Sequence, residues 1–284
     1  MSKIKLFVSD MDGSFLDSLG RVSKVNFRAL NLLKKNGVKI CLSTGRNIEL
    51  IRPYLREYCD YLITNNGAII YKKIDNDWKI IFSKTLNSSM VFKYLKSVMP
   101  VCYGVQILYE DEIFSTPDNN TLEFINRANK LIKNGEDIEK SNALFHKFMK
   151  LIDDPIKLVK SHKKDITKLD IFYDVQNTGK FNEITSKFCE LNPILCFDGD
   201  VEIVATDIDK GFGVLKVCEN MNIKPDEVVS FGDSGNDLKM KEVGTTFIAV
   251  KNALDFVRKD AYKVCGSNDK SGIGRYIIRN LRKL

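Results

Sequence analysis

A chain of 284 residues has room for one large domain or two modest ones with a proper core. Its 44% hydrophobic and 29% charged residues suit a soluble globular protein, and no apolar run approaches the ~20 residues that span a bilayer. The formal charge of +7 is spread along the chain without an aromatic-interleaved basic motif, so it fits attraction of an anionic substrate better than dedicated nucleic-acid binding. The N-terminus enters a strand almost at once, with no signal-peptide pattern. The seven cysteines include no C-x-x-C pair, which favours reduced core thiols over disulfides or zinc. A cytoplasmic location is the expectation.

In chain order, an apolar strand at Lys3–Val8 leads to Ser9-Asp10-Met11-Asp12-Gly13-Ser14. Two carboxylates two residues apart in extended backbone project to one side, and Gly13 allows a tight departure that leaves both exposed. Such crowding is unfavourable unless a cation or a reacting group lies between them. A calcium loop is excluded because no Glu follows at the required offset.

A helix is predicted over Lys24–Asn36, with Ser23 as N-cap, a stripe of Val25, Leu30 and Leu33, and Gly37 as the stop. A second strand, Val38–Leu42, runs into Ser43-Thr44-Gly45-Arg46, and a helix is expected from there to about Leu55. A third strand, Tyr61–Ile63, ends in Thr64-Asn65-Asn66-Gly67-Ala68. Strands alternating with helices argue an α/β fold: a parallel sheet with helices on both faces and ligands at the carboxyl ends of its strands.

The middle of the chain reads as an α+β insert. Hairpin-like strands at Ala68–Tyr71 and Lys79–Phe82 give way to helices near Ser88–Val98, Asn119–Lys133, Pro155–Lys163 and Phe181–Leu191. Strands are expected at Cys102–Leu108, Lys147–Ile152, Lys168–Tyr173 and Val201–Ala205. The division is residues 1–84 and 201–284 as the core domain, and 85–200 as a lid. The last third returns to alternation. A helix opens at Lys210-Gly211 and runs to about Met221. The strand Val228–Phe231 empties into Gly232-Asp233-Ser234-Gly235-Asn236-Asp237, and another helix follows. A strand at Thr246–Val250 and helices near Leu254–Lys259 and Ser271–Leu281 close the chain.

Four pieces recur at strand ends or helix starts. They are Asp10/Asp12; Ser43-Thr44-Gly45, read as an oxyanion cradle at a helix N-terminus; Lys210, whose place in a first helical turn opposes the macrodipole; and the carboxylates Asp233 and Asp237. Singly, Thr44 could cap a helix, Lys210 could be a surface lysine, and the two acids could be turn residues. Together they supply oxygen ligands for a hard cation, a cationic side chain and a phosphate-sized nest, the equipment of phosphoryl transfer.

These motifs, in order and over essentially the whole chain, resemble the haloacid dehalogenase superfamily, and in particular its Cof-type branch (class IIB, with a large C2 cap). Asp10-Met11-Asp12-Gly13-Ser14-Phe15-Leu16, Ser43-Thr44-Gly45-Arg46, Lys210-Gly211 and Gly232 to Asp237 match its four motifs, and Asn66-Gly67-Ala68 a further segment. Ser14 stands where threonine is usual; the hydroxyl is kept. The resemblance implies a doubly wound, Rossmann-like α/β core with an inserted cap. It also implies a phosphatase that hydrolyses a small phosphorylated metabolite such as a sugar phosphate. Asp10 would be the nucleophile that forms an aspartyl-phosphate, and Asp12 the general acid and then base. Met11, Thr44, Gly45, Lys210 and Asn236 would bind the phosphoryl group. Mg2+ would be held by Asp10, Asp12 (through its carbonyl), Asp233 and Asp237, the last direct or through water. Asn66 and Glu202 are the candidate substrate contacts. A phosphomutase sharing the aspartyl-phosphate is the nearest alternative, and a non-catalytic binding protein a distant one. His146 and His162 lack metal-site partners in sequence, Trp78 reads as packing, and no dinucleotide or P-loop motif occurs.

Overall fold

The computed structural model describes residues 4–51, 53–118 and 149–280. The helix expected near Asn119–Lys133 and residue His146 lie outside that range. The chain divides into two compact units. The first comprises residues up to Gly45, Ile51–Ser83 and from Asp209 on; the second is Arg46–Leu50 with Lys84–Ile208.

The chain begins with strands β1 (Leu6–Ser9), β2 (Lys39–Ser43), β3 (Tyr61–Thr64), β4 (Ile69–Ile74) and β5 (Asp77–Ser83). The second unit contributes β6 (Gly104–Leu108), β7 (Ile113–Ser115), β8 (Met149–Leu151), β9 (Lys168–Phe172), β10 (Leu191–Phe197) and β11 (Asp200–Ala205). The return to the first unit adds β12 (Val228–Gly232), β13 (Thr246–Ala249) and β14 (Lys263–Val264).

The first unit is one sheet in the order β14-β13-β12-β1-β2-β3-β4-β5. It is parallel from β14 to β3, and the β4–β5 hairpin extends it antiparallel. The hairpin thus belongs to this sheet. The buried run Leu6, Phe7, Val8 explains why β1 is central, since a strand covered on both faces is apolar at successive positions. Strand order reverses between β1 and β12, and at such a switch point the carboxyl ends of neighbouring strands leave a crevice. Asp10 follows β1 and Asp233 follows β12.

The helix Lys24–Lys35 starts where Ser23 predicts, because the Ser23 hydroxyl accepts from the Asn26 amide. Its packing differs from the predicted stripe. Asn26, Ala29, Leu30 and Leu33 are buried, and Val25 is only half-buried. It pairs with the helix Gly272–Asn280, while Lys210–Met221 packs on Leu238–Glu242 and β3. None of the described helices is long and apolar enough to cross a membrane.

The expected helix from Arg46 to Leu55 is not formed. A 3-10 turn at Ile48–Leu50 and a one-turn helix at Pro53–Arg56 replace it. Pro53 has no amide proton and fits only the start of a helix, so the ladder is interrupted there. Leu50 instead packs with Leu108, Ile113 and Met149 of the second unit.

The second unit is a sheet in the order β10-β11-β9-β6-β7-β8, antiparallel except for β7–β8. Strands β7 and β10 were not anticipated; the helix expected at Phe181–Leu191 is instead Thr178–Thr185. Strands alternate faces, and cross-strand partners share one. Registers Glu202–Asp170, Gln106–Asp170 and Asp200–Phe172 therefore put Lys168, Asp170, Asp200, Glu202 and Gln106 on one side. Val105, Ile107, Leu169, Ile171, Val201 and Ile203 form the buried apolar side.

Gly211 tests the packing of the Lys210–Met221 helix. A Cβ there would lie 2.2 Å from the Lys239 carbonyl oxygen, a backbone atom that cannot rotate away. Alanine gains about 1 kcal/mol of helix propensity over glycine, against about 1–3 kcal/mol or more for overpacking a closed site. Gly211→Ala should therefore lower the thermal midpoint by several degrees; an unchanged or higher midpoint would refute this packing.

Candidate active site

The site forms where β1, β12 and the helix opened by Lys210 converge. After Ser9 the chain does not simply turn. The segment Met11–Phe15 has Asp12 in extended conformation (φ −80°, ψ 126°) and Gly13 left-handed at φ 75°. A side chain at Gly13 would be strained there, and its Cβ would lie 2.6 Å from Asp233 Oδ2. Only glycine lets this turn approach the carboxylate. Ser14 then donates its hydroxyl to Asp233 Oδ1 at 2.7 Å, so the hydroxyl that replaces the usual threonine does its work.

Lys210 is buried, and its ammonium bridges two carboxylates: Asp10 Oδ1 and Asp237 Oδ1, each at 2.7 Å. Asp237 Oδ2 accepts the amides of Asp233 at 2.9 Å and Ser234 at 3.1 Å. Asp237 thus fixes both the lysine and the turn that aims Asp233. Ahead of Lys210, the Asp209 side chain accepts from the Phe212 amide at 2.7 Å and caps the helix. This cap makes tolerable a lysine that the helix dipole disfavours.

The charges are strongly perturbed. Burial pushes the Asp10 carboxyl well above its ordinary range, against the pull of Lys210, and Asp237, Asp233 and Asp12 add to the rise. Burial also opposes the charge on Lys210, yet Asp10 and Asp237 outweigh it and hold the ammonium firmly protonated. Burial, with help from Asp237, raises Asp233 to about 6. Asp10, Asp233 and Asp237 each bring an oxygen within 4.8 Å of the others. An all-oxygen set in which carboxylates outnumber the ammonium fits a hard divalent cation. Asn236 adds a buried Oδ1 without a hydrogen-bond partner among the described residues, unspent capacity that a ligand can take up.

The other expected residues fall as follows. Met11 is buried and Asp12 is exposed. β2 runs in register with β1, Leu42 beside Ser9, so Thr44 and Gly45 emerge at the same edge as Asp10. Their expected setting at a helix N-terminus is not met, since no helix follows Gly45 directly. The Thr44 amide bonds the Ile63 carbonyl instead, and its own carbonyl accepts from the Asn66 amide. Asn65 and Asn66 take left-handed backbone (φ 49° and 54°), which asparagine tolerates, and this sharp turn brings Asn66 beside Thr44. Glu202 lies in the second unit. There Lys168 is buried and paired with Asp170 at 3.0 Å and with Glu202. Burial pushes Asp170 and Asp200 upward, Asp200 to about 6. His162 bonds Glu112 at 3.1 Å in that unit.

A family model for haloacid dehalogenase-like hydrolases matches residues 7–277. Among the relatives, 5-amino-6-(5-phospho-D-ribitylamino)uracil phosphatase YitU of Bacillus subtilis is 20% identical, covering 97% of both chains. Phosphatase YwpJ of the same organism is 23% identical over 95% of this chain and 97% of its own. Among solved structures, a haloacid dehalogenase-like hydrolase from B. subtilis superposes with a TM-score of 0.82 at 20% identity, over 97% of this chain and 99% of that one. The subclass IIB sugar phosphatase BT4131 gives 0.78 at 18% identity, over 97% and 98%. The chain belongs to the haloacid dehalogenase-like hydrolase family. It is an enzyme of that family's phosphatase class.

Without a bound cation the Asp233 shift makes stability pH-dependent. The folded protein keeps a proton on Asp233 up to about pH 6, whereas the unfolded chain releases it near 3.8. Between those values the folded state binds more protons, so stability falls as pH rises. Two pKa units correspond to at most about 3 kcal/mol. Asp233→Asn in chelator should flatten this part of the stability curve between pH 4 and 6. A curve as steep as the parent's would contradict the assigned environment.

Proposed function

We propose that this enzyme hydrolyses a small phosphorylated metabolite, a sugar phosphate or similar monoester, through an aspartyl-phosphate on Asp10. The observation that carries this reading is the buried Lys210 ammonium held between Asp10 and Asp237, with Asp233 in the same carboxylate cluster. Mg2+ is the implied cofactor; Asp10, the Asp12 carbonyl and Asp233 would hold it, with Asp237 direct or through water, and it would neutralise phosphoryl oxygens. Asp10 Oδ attacks phosphorus while the ester oxygen departs, taking the proton of Asp12. Water, deprotonated by Asp12, then attacks the acyl-phosphate and restores the Asp10 carboxylate with release of orthophosphate. Burial disfavours the ionised Asp10 that must attack; Lys210 favours it. The Met11 and Gly45 amides, Thr44, Lys210 and Asn236 are the groups proposed to bind the phosphoryl oxygens. The inserted unit is proposed as the lid that sets specificity, with Glu202 and Asn66 as substrate contacts.

A phosphate-release screen over phosphorylated metabolites with magnesium tests the reaction. Chelator should abolish release and magnesium restore it, and Asp10→Asn should lower kcat by about 10³ or more, as loss of a nucleophile does. Parent-level activity in that variant would sink the mechanism, and isomerised sugar phosphate without orthophosphate would identify a mutase. On the accepted substrate, Glu202→Gln should raise KM several-fold and alter the order of preferred substrates. An unchanged preference profile would remove Glu202 from the specificity set.

A further inference from the structure

We propose that Asn252 is a positioning residue, which holds the turn carrying Asp12 against the turn carrying Asp233. The inference rests on the proposed acid role of Asp12. The segment Met11–Phe15 interrupts regular helix at Asp12 and Gly13, so its carbonyls need partners from elsewhere. Three asparagines, two of them more than two hundred positions away, provide partners for this segment and for Leu16 just after it. Asn252 Nδ2 donates to the Gly13 carbonyl at 2.7 Å, Asn26 Nδ2 to Phe15 at 2.8 Å, and Asn268 Nδ2 to Leu16 at 3.0 Å. Each of these residues also makes or receives a second bond, for Asn268 through its backbone N–H, that ties it to the body of the unit. The Gly274 amide donates to Asn26 Oδ1, and the Asn268 amide donates to Asn252 Oδ1, both at 3.0 Å. The Asn252 oxygen is thereby committed to Asn268, which leaves its NH2 group for Gly13.

Asn252 differs from the other two in what its own loop touches. The Val250 amide bonds the Gly232 carbonyl at 3.2 Å and the Leu254 amide bonds the Asp233 carbonyl at 3.0 Å. The loop after β13 therefore holds the Asp233 turn with two backbone bonds and the Asp12 turn with one side chain. Gly13 needs such a restraint more than any other residue in the segment. Glycine has the widest backbone freedom, so here an outside bond, not a Cβ, has to fix the torsions next to Asp12. Asn252 itself is exposed, and buries nothing that the fold needs.

A misplaced general acid costs most where the leaving group needs a proton. An alkyl alkoxide needs one; p-nitrophenolate, a weak base, does not. Parent, Asn252→Ala, Asn252→Asp and an Asp12→Asn control would be compared on an accepted alkyl phosphate and on p-nitrophenyl phosphate. The readout is kcat/KM, which covers chemistry up to departure of the leaving group. The aspartate variant keeps the size and the oxygen facing Asn268 while removing the donor. Both Asn252 variants should lose about tenfold or more on the alkyl ester, part of the 10²–10⁴ that a placed acid supplies, and less than about threefold on the aryl ester. Their melting midpoints should stay at the parent's. Equal losses on both esters, or none on either, overturn the proposal. An Asp12→Asn control that shows no leaving-group preference overturns the acid role of Asp12 instead.

Discussion

The candidate active site is arranged around one buried ammonium. Lys210 sits between Asp10 and Asp237, at 2.7 Å from each, with almost no exposure to solvent. Taking a lysine and two carboxylates out of water costs several kcal/mol per ion, and mutual attraction does little more than offset that. The triad is therefore poor value as a stabilising device. Its worth lies in alignment, because the three groups come from three chain segments. One follows the central strand, one opens a helix, and one closes the turn beyond β12. Joining them fixes the nucleophile candidate relative to the carboxylate turn, whatever the rest of the surface does.

That alignment explains several local departures from good secondary structure. A lysine in a first helical turn is disfavoured, and Asp209 compensates as the cap. A left-handed glycine interrupts the segment after Asp10, because any larger residue would collide with Asp233. The turn beyond β3 places two asparagines in left-handed backbone to bring Asn66 against Thr44. Strain of this kind concentrates at functional edges of folds, where over-determined surroundings hold it in place. The carboxyl end of this sheet, where the candidate site lies, gathers these departures.

The sequence made the four motifs legible because each couples a strand signal to an unusual cluster of polar residues a few positions away. Local patterns of that sort survive without knowledge of the fold. The helix Lys210–Met221 and the helix Ser88–Val98 begin and end where the patterning predicts, since cap, period and stop agree. The helix expected after Thr44 failed because polar residues before an apolar run imitate a helix start. Pro53 and the pull of Leu50 into another core were the stronger terms. Strand β10 stayed hidden because its apolar positions continue the spacing of the preceding helix, and β14 is only two residues long. Asn252, Asn26 and Asn268 were invisible for a different reason. An asparagine in a loop or an opening helical turn reads as a local polar residue, and only the fold shows that the amides of Asn252 and Asn268 reach carbonyls more than two hundred positions away.

The second unit obeys a different logic. One side of its sheet is buried and apolar along β6, β9 and β11; the other carries Lys168, Asp170, Asp200 and Glu202 in adjacent register. A sheet needs one apolar side to form a core, but nothing in folding requires buried charges on the other. The Lys168 ammonium is already neutralised by two carboxylates. The two units thus divide the physical problem. Charge gathers at the Asp10, Lys210 and Asp233 edge of the first unit, while the second unit pairs Lys168 with Asp170 and Glu202 within its own sheet.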